Sequence, residues 1–146
     1  MATGLITDNR IAGTTQVDIA KLLLRLILGM LILIHGISKI KGGPGFVLDM
    51  VDKAGLPEPF GYLVYVGEVA APLLTIIGLW TRAAAIVIAL NMIVALLLVH
   101  MGQFFPFAPE GGWALELQGL YLIVAVSVAL LGAGRYSLGG IAGRLN

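Results

Sequence analysis

The stretch LLLRLILGMLILIHGISKIK, Leu22 to Lys41, is long and apolar enough to cross a bilayer, yet it carries Arg25, His35 and Lys39. A charge at the middle of a membrane helix costs on the order of 2.5–3.5 kcal/mol by insertion scales. Such residues either lie close enough to the helix ends to reach water or meet partners on other helices. Glu68, His100 and Glu116 are the candidate partners supplied by the rest of the chain.

The whole composition agrees with this segment. Of 146 residues, 59% are hydrophobic and only 12% charged, against about 25% charged in an ordinary soluble domain. One domain of this size cannot hide so much apolar surface, so lipid is the expected solvent for much of it. The formal net charge is +1, with no basic block to suit nucleic acid. The absence of cysteine excludes disulfides, thiolate redox chemistry, iron–sulfur clusters and cysteine–zinc sites within this chain. The start, MATGLITDNRIAGTTQVD, is polar and lacks a basic region leading into an apolar core, so a cleaved signal peptide is not expected.

Hydropathy and breakers predict an all-α, polytopic membrane protein: a four-helix antiparallel bundle spanning about 19–40, 59–80, 82–101 and 113–132. Residues 1–18 read as a mobile arm, with Asp18 as N-cap of the first span, and 135–146 as a basic tail. Gly42-Gly43-Pro44-Gly45 ends the first span. Phe46–Ala54 then alternates apolar residues with Asp49, Asp52 and Lys53 at helical spacing, which predicts a short interfacial helix. The two-residue link Thr81-Arg82 makes the second and third spans a hairpin, and GQFFPFAPEGG is a Pro/Gly-rich, aromatic loop.

Lys and Arg set the orientation. Arg10, Lys21, Arg25, Arg82, Arg135 and Arg144 fall on the side of both termini, and Lys39, Lys41 and Lys53 on the other. The excess places both termini in the cytoplasm of a plasma (inner) membrane protein. With that orientation His35 and Lys39 share one face near the outer surface, and Glu68 lies about 13 Å below the outer end of its span. His100 ends the third span and Glu116 lies one turn into the fourth. Separate spans thus bring His35, Lys39, Glu68, His100 and Glu116 to one outer level. Arg25 belongs to the cytoplasmic half, and Asn91, nine residues before His100, is expected to face elsewhere.

Each residue has a plain reading. Arg25 can snorkel to cytoplasmic headgroups, Lys39 can reach the outer interface, and His100 and Glu116 can be ordinary loop-end residues. Tyr62, Tyr65, Trp80, Trp113 and Tyr121 suit an aromatic belt. Glu68 is too deep to snorkel, so it is protonated, paired or facing water. A structural pair with Lys39 or His35 would satisfy it. Proton handling by Glu68 with His35 is the functional counterpart, because imidazole titrates near neutrality and burial raises a carboxyl toward it.

The run LLRLILGMLILIHGISKI resembles the first helix of DoxX family membrane proteins. Gly45-Phe46, Gly55-Leu56-Pro57-Glu58-Pro59, the Glu68 helix ending Gly78-Leu79-Trp80-Thr81-Arg82, and His100 with Gly102 and Phe104-Phe105 continue the likeness in order. Gly132-Ala133-Gly134-Arg135-Tyr136-Ser137 closes it. Where the family often has an acidic residue after Ser137-Leu138, this chain has Gly139. The resemblance implies a small subunit or partner of membrane-associated oxidoreductases, including thiosulfate:quinone oxidoreductase, or a protein of redox stress. The family's polar positions map onto Arg25, His35, Lys39, Glu68, His100 and Glu116.

Three functions follow as expectations. The bundle could bind a quinone in its outer half, with His35 and Lys39 at carbonyl oxygens and Glu68 exchanging the proton; Arg25, His100 and Glu116 complete the candidate binding set. A redox partner would be needed, since the chain carries no evident electron carrier. Two His and two Glu could instead hold a metal, or His35 and His100 a haem, although Lys39 opposes a divalent cation. The third reading is a structural scaffold or small-solute carrier, with lipid, membrane redox proteins or a second copy of the chain as partners.

Overall fold

The computed structural model describes residues 2–105, 107, 111–140 and 143–146, with backbone only at 2–13 and 103. The described residues form five helices and no strand: α1 (Ala2–Gly42), α2 (Gly45–Lys53), α3 (Glu58–Ile77), α4 (Thr81–Val99) and α5 (Glu116–Leu131). Of these, α3 and α4 are long and apolar enough to cross a bilayer.

Contacts fix the arrangement as up, down, up, down. Gly29 of α1 packs against Pro72 and Ile76 of α3, and Gly36 against Glu68 and Val69, so the two run antiparallel. Arg82 of α4 meets Ala129 and Leu130 of α5, whereas His100, just beyond α4, meets Gln118 near the start of α5. His35 of α1 lies edge-on to Tyr121 of α5 and closes the ring. Small residues line the contacts: Ala71, Ala84, Ala85, Ala89 and Ala125 are buried with Leu28, Ile32, Ile88, Met92 and Val128. Alanine at these positions lets the helix backbones approach closely. Outward faces are apolar too, with Ile27, Ile34, Leu90, Leu97, Ile123 and Leu130 each more than half exposed. Apolar surface on that scale suits lipid rather than water.

The third helix is irregular where it matters. It opens as a 3-10 turn (Glu58–Tyr62), widens into a π-helical turn over Val66–Ala70, and returns to α geometry at Ala71. Pro72 lacks the N–H that would bond the Glu68 carbonyl, and its ring crowds that oxygen. The wider turn relieves the crowding and sets Glu68 at its centre. Gly36 rests directly on the Glu68 carbonyl, so no side chain fits there.

At the other end of the bundle, residues 134–140 and 143–146 fold back and fasten the helix ends. Gly78, in the left-handed conformation (φ 74°), ends α3, and the Ile77 and Gly78 carbonyls accept the Leu138 and Gly139 N–H groups. Trp80 precedes α4 at φ 50° and provides no side-chain cap. Asn146 caps it from the tail, its Oδ1 accepting the Thr81 N–H at 3.2 Å and the Thr81 hydroxyl at 3.1 Å. Arg82 in turn donates to the Ala129 and Leu130 carbonyls at the end of α5.

Several boundaries differ from those expected. The first helix starts at Ala2, so the expected arm is helical over its described residues; no proline precedes Pro44 to stop it. Asp18 is therefore not an N-cap. Its carboxylate accepts the Arg135 N–H at 3.2 Å and pairs with the Arg135 guanidinium at 3.6 Å. The last helix begins at Glu116 rather than at Trp113, which forms a single β-bridge with Phe107.

Two stability outcomes follow. Gly36→Val forces a branched side chain into the Glu68 backbone and is expected to cost at least about 1–3 kcal/mol; Gly42→Ala, with open space around it, is expected to be neutral. Asn146→Ala removes the borrowed cap of α4 and is expected to cost about 1 kcal/mol. Thermal unfolding in detergent checks all three.

Candidate functional site

Between the helices, on the side away from the tail, lies a cavity of about 610 Å³. Its wall is mostly apolar, drawn from α2, α3 and α4, and the polar groups entering it are His35, Lys39, Glu68, Asn91, His100, Gln118 and Tyr121. All five helices and the residue after α4 contribute to one space.

The central contact joins α1 to the π turn of α3. Lys39 Nζ donates to Glu68 Oε2 at 2.6 Å, with the two side chains 27% and 10% exposed. Tyr65 donates its hydroxyl to the Lys39 carbonyl at 3.2 Å, pinning the end of α1 from the same helix as Glu68. A carboxylate and a hydroxyl three residues apart on one helix thus serve one lysine. His35, one turn before Lys39, opens onto the cavity and lies 6.2 Å from Tyr121, ring centre to ring centre at 77°. No hydrogen bond links His35 to Glu68 among the described residues, so a proton passing between them needs a molecule in the cavity as intermediary.

His100 has a defined tautomer. Its Nδ1 lies 3.1 Å from the Ala95 carbonyl, which can only accept, so Nδ1 carries the proton. Nε2 then accepts from Gln118 Nε2 at 3.3 Å. Both ring nitrogens are engaged. The residue lies just past the helix with φ −114° and turns back on it, which explains why Asn91 shares its cavity. Helical phase separates Asn91 from a position 100 on the same helix, but His100 has left the helix.

The remaining candidates lie elsewhere. Arg25 is at the tail end, 1% exposed, donating Nη2 to the Tyr136 carbonyl at 2.6 Å with its guanidinium against Gly78. Its Nε and Nη1 have no hydrogen-bond partner among the described residues. It neither snorkels nor touches the cavity. Glu116 is exposed in the first turn of α5 and does not line the cavity. Because the helix starts at Glu116 itself, its carboxylate stays at the helix N-terminus, where negative charge is favoured.

Asn91, Gln118 and Tyr121 are the cavity residues that the sequence reading left out of the site. Tyr121 follows Gln118 by three residues and so shares its face of α5, which was a legible signal. Among the described residues no group of three or more His, Asp and Glu is placed to hold a metal ion. To ligate a haem iron together with His35, His100 would have to give up its contact with Gln118.

Comparison with known proteins places these residues in a lineage. The DoxX family model matches residues 20–101. A Bacillus subtilis (strain 168) protein named "Putative oxidoreductase CatD" is 33% identical over 116 residues, covering 80% of this chain and 81% of its own. An uncharacterized protein of Haemophilus influenzae is 29% identical over 120 residues, covering 79% and 84%. No solved structure matches the chain. Arg25, His35, Lys39 and Glu68 all fall inside the matched segment, and the chain belongs to the DoxX family of membrane proteins.

Proposed function

We propose that this protein is a four-span inner-membrane subunit, both termini cytoplasmic, that binds a quinone in the outer half of its bundle in association with a membrane oxidoreductase. The observation that carries the reading is the 2.6 Å Lys39–Glu68 pair set in the wall of an apolar cavity of about 610 Å³. A purely structural pair needs no such space beside it. The name of the B. subtilis relative supports the oxidoreductase association.

The fit rests on the cavity's own chemistry. A quinone head is uncharged and needs hydrogen-bond donors near its oxygens; Lys39, His35 and Tyr121 are donors in the wall. Its tail needs apolar surface, which α2, α3 and α4 supply. The bound group would supply the two-electron chemistry. Glu68, in contact with Lys39 at 2.6 Å in the cavity wall, is the proposed site of proton exchange with the bound head. His35 stands as a second proton site.

Spans and orientation rest on charge and length. Arg25, Arg82 and Arg135 make contacts at the tail end, whereas Lys39 lies at the cavity end, and the Lys/Arg excess sits with the tail. Because the chain has no cysteine, single introduced thiols report sidedness without background. Lys53→Cys is expected to react with a membrane-impermeant maleimide in intact cells, and Leu138→Cys only after permeabilisation; the reverse pattern refutes the orientation.

The quinone reading is tested by what leaves the membrane with the protein. Wild type purified from native membranes is expected to carry close to one quinone per chain. Glu68→Gln is expected to lower that content about tenfold and, because it leaves the Lys39 charge without its partner, to lower the unfolding temperature as well, so the contents are compared at a temperature where both proteins are folded. Wild type free of quinone, or Glu68→Gln retaining it in full, would refute the reading.

A further inference from the structure

The cavity contains more hydrogen-bonding capacity than the protein uses. Lys39 and Glu68 satisfy each other, and His100 is engaged at both nitrogens. By contrast, the Asn91 amide, the His35 imidazole and the Tyr121 hydroxyl have no hydrogen bond among the described residues, and Gln118 Oε1 is buried without one. Asn91 is the most telling. It lies in the middle of the 19-residue α4, half-buried, and lines the cavity with no hydrogen bond to its amide among the described residues. Opposite it stands Gly67, next to Glu68, and a Cβ at Gly67 would collide with the Asn91 side chain. The π turn thus makes room for this amide as well as presenting the carboxylate.

Charge narrows what the amide faces. The only acidic and basic side chains in the wall besides the two histidines are Lys39 and Glu68, and they neutralise each other at 2.6 Å. An anionic head would have to break that pair. The route in is also apolar: Phe46, Phe60, Leu63, Val66, Leu90 and Leu117 line the cavity while remaining 47–60% exposed, so the cavity is open and its mouth is apolar.

We infer that Asn91 reads the head group of the ligand, its amide binding an oxygen of a neutral, single-tailed amphiphile that enters from the lipid through the cavity's apolar mouth. Tyr121, on the facing helix, provides a second donor to the same head. This rests on the quinone reading and adds to it the residue that recognises the head, the exclusion of charged amphiphiles and the path of entry.

The test measures equilibrium retention of radiolabelled decyl-1,4-benzoquinone by the full chain in nanodiscs. Wild type is expected to bind saturably, Asn91→Leu at least about tenfold more weakly, and Tyr121→Phe several-fold more weakly. Unlabelled decylbenzoquinone should displace the label, and dodecanoate at the same concentration should not. Asn91→Leu removes an unpaired amide from an apolar wall, so its unfolding temperature should hold or rise; if it nevertheless aggregates, Tyr121→Phe, which loses one oxygen, decides. Wild type that binds while the folded variants bind within twofold of it, or dodecanoate competing equally, overturns this inference and leaves the quinone reading standing. Wild type that retains no label refutes both.

Discussion

The Lys39–Glu68 contact ties the structure together. It joins the end of the first helix to the middle of the third, and both sides of that join are shaped to permit it. Glycine at position 36 lets α1 rest on the Glu68 carbonyl, and the π turn before Pro72 presents the carboxylate. A buried ion pair is a weak source of net stability, because desolvation offsets most of the Coulomb attraction. What it secures is register: a shift of α1 by one residue along α3 would put a side chain where Gly36 lies and leave a lysine and a glutamate unpaired in apolar surroundings. Penalties of that kind, several kcal/mol for an uncompensated charge, make the alternatives costly rather than the native contact strong.

The two ends of the bundle solve the same problem in opposite ways. Helix ends leave carbonyl and N–H groups without intrahelical partners, and such groups are expensive where water is scarce. At the tail end, the chain itself supplies many of the partners. Leu138 and Gly139 bond the last carbonyls of α3, Asn146 caps α4, and Arg82 covers the end of α5. Arg25 extends the arrangement by holding the Tyr136 carbonyl. At the cavity end the fastening stops at Lys39, Tyr65 and the His100–Gln118 contact, and the groups deeper in the wall are left open. One end is closed by its own polypeptide; the other opens into the cavity.

The sequence revealed the class, the hairpin order and the membership of His35, Lys39, Glu68 and His100 in one place, because all of these follow from depth along straight helices. It misplaced what depends on departures from straightness. Glu116 was expected one turn inside its helix, but nothing in WALELQ marks the helix start as Glu116 rather than Trp113. Asn91 was assigned away from His100 by counting residues, a method that fails once α4 ends at Val99 and the His100 ring turns back to Ala95. The tail was read as a loose basic segment, since no local pattern reveals that its last residue caps another helix 65 positions away in sequence. The π turn had a visible cause in Pro72, yet a proline within an apolar helix more often signals a kink.

These departures coincide with the chemistry, and the reason is physical. A regular helix satisfies its own backbone and directs its side chains by a fixed rotation, so it offers a ligand little that is unspent. Glu68 is available because a proline deprives its turn of a hydrogen bond and the wider turn points the carboxylate toward Lys39. His100 is available because the helix has ended, and Asn91 has room because Gly67 has no side chain to oppose it. Each polar group in the cavity wall is thus positioned by a local cost that the surrounding apolar packing sustains. Of these groups the Lys39–Glu68 pair also serves the fold, through register. Asn91, with no partner in the bundle among the described residues and a glycine opposite it, has no such part in the packing, and the proposed head group would give its amide a partner.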